Sequence, residues 1–136
     1  MAGSVVVDAG FLVALLNRRD RHHQWAVSQA PQFPRPWLTC EASLSEAFHL
    51  VGASGATALS ALVRRRVLLV GFQLGGDEEA ILNLMAKYAD VPMSLADACL
   101  VRMTEARADV VLLTTDADFR IYRRHSRQVV PSHTPP

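Results

Sequence analysis

The chain is short of several things, and each shortage excludes something. It has only two cysteines in 136 residues, Cys40 and Cys99. They lie far apart and form no CxxC pair, so a reduced, cytoplasmic protein is the simple reading. No run approaches the ~20 apolar residues that cross a bilayer, so no membrane partner is expected. The opening "MAGSVVVDAGFLVALLNRR" lacks an early basic residue, and Asp8 interrupts its apolar stretch, which argues against a signal peptide. Charge of one sign is also lacking: the formal net charge is +1 and excludes no class of partner. Lysine is nearly absent. Of fourteen basic residues thirteen are arginine, and Lys87 stands alone. Arginine suits bidentate phosphate contacts, although a GC-rich genome gives the same bias. There is no repeat, no low-complexity tract and no dividing linker.

Half of the residues are hydrophobic. A chain of this length can bury roughly 70% of its unfolded surface in one core. The expectation is a single domain over 1–136, with the tail "PSHTPP" (131–136) frayed. "SVVVD" and "DVVLLTT" read as buried strands, rich in β-branched residues and without alternation. "PWLTC", "VLLVGF" and "RQVV" are further strand candidates. Helices are expected over "GFLVALLNRR", "HHQWAVSQA", Glu41–Gly52, "ATALSALVRRR", "DEEAILNLMAKYAD" and "SLADACLVRMTEARA", with a short one over "DADFRIYRR". Strands alternating with helices predict a three-layer α/β/α fold around a mostly parallel sheet.

In such sheets ligands bind beyond the carboxyl ends of the strands. Asp8 follows the first strand directly, and Asp116 follows "VVLLTT". Glu46 lies in the helix after the second strand, and Asp97 in the first turn of a helix. Each acid also has a capping explanation. Asp8 can cap the helix after it, while Ser94-x-x-Asp97 and Thr115-x-x-Asp118 both have capping-box spacing. Ser43-x-x-Glu46 has that spacing too, but inside a helix already begun. Asp77, Glu78 and Glu79 read as an exposed first turn. The alternative is a metal site. Mg²⁺ and Mn²⁺ are hard cations that take oxygen ligands. Gathered carboxylates persist only when a cation or protons neutralise them. An ion held there would suit phosphodiester hydrolysis by polarising phosphate and activating water. The sequence alone does not show that these acids converge.

Four blocks in order, "VVVDAGFLVALLNRRDRHH", "SEAFHLV", "SLADACLVRM" and "LLTTDADF", resemble PIN-domain ribonucleases, the family that includes the VapC-type toxins. The likeness runs from about Val5 to Phe119. It implies a parallel sheet of about five strands, and catalytic, metal-binding acids at Asp8, Glu46, Asp97 and Asp116, with Asp118 auxiliary. Thr115 matches a small hydroxyl residue found beside the fourth acid. The resemblance further implies Mg²⁺- or Mn²⁺-dependent cleavage of RNA, a homodimer and, for a toxin, a small antitoxin partner. One departure is visible: Ala9 and Gly10 stand where many relatives carry a hydroxyl residue, which removes a potential outer partner of Asp8.

Substrate grip would come from arginines. Arg120, Arg123, Arg124 and Arg127 are candidates, with Arg18, Arg19 and Arg21 behind them; a solvated basic face is the plain alternative for each. Arg64, Arg65 and Arg66 end a helix and favour its dipole. His22 and His23 are adjacent and would not face one another on a helix. His49 follows Glu46 by three residues, a weak signal. Trp25 and Trp37 are expected to pack or to form an interface. A haloacid-dehalogenase phosphatase would need a threonine two residues after Asp118, where Arg120 stands. A phosphoacceptor receiver would need a lysine near the last strands. A domain that binds RNA or protein without cutting stays open, as does a solitary nuclease with no antitoxin.

Overall fold

The computed structural model describes residues 3–136. Its centre is a five-stranded, wholly parallel sheet in the order β3-β2-β1-β4-β7. The strands are β1 (Ser4–Val7), β2 (Trp37–Thr39), β3 (Leu68–Val70), β4 (Val110–Leu113) and β7 (Ser132–His133). Strand side chains alternate between faces. Val5 and Val7 therefore enter one core with Phe11, Leu12, Trp37 and Leu59. Val6 enters the other with Ile81, Leu100, Met103 and Tyr122. Helices α1 (Ala9–Leu16), α2 (His23–Gln29) and α3 (Glu41–Arg64) contribute to the first core, and α4 (Glu78–Lys87) and α5 (Leu95–Glu105) to the second. The three-layer α/β/α expectation holds.

The chain adds β2 on one side of β1 and, after β3, adds β4 on the other. The crevice between β1 and β4 is thus the point where strand order reverses, the usual place for a ligand in an open parallel sheet.

Two local expectations need correction. The tail does not fray: its residues Ser132 and His133 form the edge strand β7, paired with Leu112 and Leu113. His133 stacks on Trp25 (centroids 5.6 Å apart) and meets Gln29 Oε1 at 2.7 Å, so nonlocal contacts hold a segment whose composition suggested disorder. "RQVV" instead contributes β6 (Gln128–Val129) to a separate antiparallel pair with β5 (Arg123–Arg124). Gly52 ends the first helical stretch, as expected: at φ 70, ψ −173 it is non-helical, and α3 is two helices joined across this kink, the second running to Arg64. Only with its two segments counted together does α3 reach the length and composition of a membrane span; the kink divides them, and Ser43, Ala47, Gly55 and Leu59 along it are buried. Cys40 and Cys99 are buried free thiols, but they are not remote: a hydrogen bond from Cys99 lowers the Cys40 thiol below its usual range.

Candidate active site

Asp8 is placed by the end of β1. Its Oδ1 accepts from Phe11 N at 2.8 Å and caps α1. Its Oδ2 accepts from the hydroxyl of Thr114, just past β4. Thr114 Oγ1 in turn accepts from Asp116 N at 2.9 Å. One buried hydroxyl thus ties the two strand-end acids together. Asp116 Oδ1 accepts from Asp118 N at 2.9 Å, capping the 3-10 turn Ala117–Arg120. Asp97 opens α5 in a full capping box with Ser94. Its Oδ2 also accepts from Tyr122 O–H at 3.2 Å, a hydroxyl presented from just beyond the 3-10 turn. Capping and site-building are therefore the same contacts, not rival explanations: each cap fixes a carboxylate at the sheet's carboxyl end.

Asp8, Glu46, Asp97 and Asp116 all line one small cavity of about 110 Å³, with Gly10, Ser43 and Thr115. The aspartates feel one another. Burial, with the charges of Asp116 and Asp97 adding to it, pushes Asp8 up to about 7 against the pull of its two hydrogen bonds. Burial, then the charge of Asp116, raises Asp97 as well, although Ser94 and Tyr122 donate to it. Glu46 differs. It is exposed, at the cavity rim.

The family described as PIN domain matches residues 5–124. The chain belongs to the PIN-domain family. The fold is also that of a solved relative: VapC20 of Mycobacterium tuberculosis, a sarcin-ricin loop cleaving toxin, is similar with a TM-score of 0.75 and 24% identity over 85% of this chain and 92% of that one. No curated protein matches the chain in sequence.

Several PIN-domain expectations change in detail. Thr115 is not the hydroxyl beside Asp116 that matters most for the acids; fully buried Thr114 is. Thr115 instead accounts for Gly10. A Cβ on residue 10 would lie 2.4 Å from Thr115 Oγ1, so the space beside Asp8 that a longer side chain would take is filled from the neighbouring strand end. Asp118 is not among the residues lining the cavity; its backbone N–H serves Asp116. Thr115-x-x-Asp118 makes no capping box, because Asp116 is the cap. Arg124 has an internal role: its Nη1 donates to the carbonyls of Thr104 (2.8 Å) and Arg107 (3.2 Å), closing the end of α5. Tyr122 was a missed residue, since nothing in "FRIYRR" marks one aromatic as a partner of an acid in α5. His23 is used structurally, its Nδ1 donating to Ala14 O at 2.7 Å. Trp37 is buried against Phe11.

The donor set is all oxygen, which suits a hard divalent cation. Among the described residues no three acidic, histidine or cysteine groups converge closely enough to hold one ion directly. Mg²⁺ does not need that. It dehydrates reluctantly and binds through one or two carboxylates while keeping several waters. Like charges that raise one another's proton affinity are relieved by a cation. The residues therefore suit a hydrated divalent ion, with Asp8, Asp97 and Asp116 as the cavity-lining carboxylates that would face it directly or through its waters.

Proposed function

We propose that this PIN domain is a divalent-metal-dependent endoribonuclease that hydrolyses RNA phosphodiester bonds as the toxin of a type II toxin–antitoxin pair. One observation carries the reading: three aspartates from three separate elements, each fixed by its own hydrogen bonds, line one cavity at the sheet's switch point. A protein that only needed caps would gain nothing from setting three of them against one another. The VapC20 likeness supports RNA as the substrate class and a toxin as the biological role.

In this mechanism Asp8, Asp97 and Asp116 would hold a hydrated Mg²⁺ or Mn²⁺ ion, directly or through its waters, and that ion would supply Lewis-acid polarisation of the phosphate and a lowered water pKa. The chain's other groups set the geometry. Thr114 orients Asp8 and positions the backbone of Asp116. Ser94 and Tyr122 occupy Oδ2 of Asp97, leaving Oδ1 for the cavity. Glu46 stands at the rim of the same cavity, where its carboxylate would face the ion's hydration shell. A small antitoxin would block this cavity, and a homodimer is the assembly we infer.

The test is cleavage of structured and single-stranded RNAs with Mn²⁺, Mg²⁺ or EDTA, wild type beside Asp97→Asn. Metal-dependent cutting by the wild type that drops to background in the variant is expected. A second reading, a PIN domain that binds without cutting, draws on the lack of three converged donors. RNA binding without cleavage in any metal would select it. Co-expression with the neighbouring gene product tests the antitoxin, and sedimentation of the purified protein tests the homodimer.

A further inference from the structure

A second depression of about 290 Å³ lies beside the acidic cavity, and Thr115 lines both. Its charge is opposite. Arg21, His22 and Arg120 line it, and no Asp or Glu side chain does. One wall is the C-terminal tail, Thr134 to Pro136, held in place by β7. The other is the loop after α1. That loop is braced internally: Asp20 Oδ1 accepts from His22 N at 2.8 Å, and Asp20 O accepts from His23 N at 3.0 Å. Arg120 Nη2 donates to Thr134 Oγ1 at 2.9 Å, which aims the guanidinium along the depression. Both arginines are exposed, so neither must break a buried contact to meet a ligand.

We propose that this basic depression is a phosphate subsite for the RNA strand, taking a backbone phosphate adjacent to the one at the acidic cavity. The inference rests on the RNA-cleaving reading above. The argument is charge alternation over a short span. A phosphodiester chain laid across Thr115 would meet carboxylates on one side, where a cation must intervene. On the other side it would meet two guanidinium groups, a ring N–H and two hydroxyls, all capable of donating to phosphate oxygens directly. Arginine's planar fork suits that contact. The subsite holds the strand through its backbone and reads no base, so it contributes affinity and register rather than sequence preference.

The experiment uses a short fluorescein-labelled single-stranded RNA and the full chain. Binding is read by anisotropy in EDTA across a salt series, and cleavage of the same RNA is read in Mn²⁺. Arg21→Ala and Arg120→Ala are each expected to weaken binding roughly fivefold or more, and to reduce the log Kd against log salt slope by about 0.7 per lost phosphate contact. In cleavage they should raise KM more than they lower kcat. Arg120→Lys should recover part of the loss, and Arg64→Ala, at the far end of α3, should change neither slope nor KM. Thermal melting confirms that the variants fold. Arginine-dependent binding without any cutting would uphold the subsite and remove the nuclease reading. Cutting with wild-type KM and salt slope in both variants would overturn the subsite and leave the nuclease. Neither binding nor cutting by the wild type would overturn both.

Discussion

At the scale of single residues the site turns on Thr114. Its hydroxyl donates to Asp8 and accepts from Asp116 N, and it is fully buried. Valine has nearly the same shape and no hydroxyl. Thr114→Val would leave a buried carboxylate oxygen and a backbone N–H without their partner, a loss of about 1–3 kcal/mol. We expect its unfolding free energy, read from urea titration, to fall by that amount and RNA cleavage to be lost, with Thr114→Ser recovering most of both. A valine variant as stable and as active as the wild type would show that the hydroxyl holds nothing. The sequence presents two adjacent threonines before Asp116, and only strand parity separates them. Leu112 and Leu113 face opposite cores, so the two threonines that follow also diverge, one inward and one toward the cavity mouth. The signal existed, but it needed the register of β4 to be read.

At the scale of elements, Gly52 is the position where backbone alone decides. Its φ of 70 with ψ −173 belongs to a region essentially closed to residues with a Cβ, while no atom lies within 4 Å of the place a Cβ would take. The cost of Gly52→Ala is therefore conformational, about 1–3 kcal/mol, despite alanine's better helix propensity. A lower urea midpoint with an unchanged denaturant slope is expected; an unchanged or higher midpoint would mean α3 straightens without penalty. Most elements were legible because their reasons are local. The β-branched runs of β1 and β4 and the apolar face of α4 at Ile81, Leu84, Met85 and Tyr88 carry their own pattern. So do the capping residues before α1 and α5. What stayed hidden depends on distant partners. β7 is two residues long and exists because β4 pairs with it and Trp25 stacks on His133. Arg124 is committed to carbonyls of α5, far back in the chain. Acids at strand ends could be picked out as candidates, but Glu46 at the rim and Asp118 outside the lining are facts of packing.

At the scale of the whole molecule, burying Asp8 beside two other aspartates links the acidic site to folding. Asp8 ionises near 3.8 in an unfolded chain and near 7 in the folded one. Between those values the folded state keeps a proton that the unfolded state has lost. Stability therefore falls as pH rises through that window, because the unfolded chain binds fewer protons. The contribution is full below about pH 4 and gone above about pH 8, on the order of 4 kcal/mol in all. Asp97, raised in the same direction, adds to the slope. The clean quantity is therefore the difference in unfolding free energy between wild type and Asp8→Asn, followed in EDTA from about pH 4.5 to 8. That difference should shift steadily against the wild type as pH rises, because asparagine has no proton to lose. Mn²⁺ should reverse the trend, since a cation binds the deprotonated acids and stabilises the folded chain by an amount that grows with its excess over Kd. The gain in melting temperature on adding Mn²⁺ should thus be small near pH 5, larger near pH 8, and mostly absent in Asp8→Asn. Parallel pH curves for the two proteins, with a Mn²⁺ effect indifferent to pH, would mean that Asp8 is only a helix cap and that the strand-end acids do not act as one site.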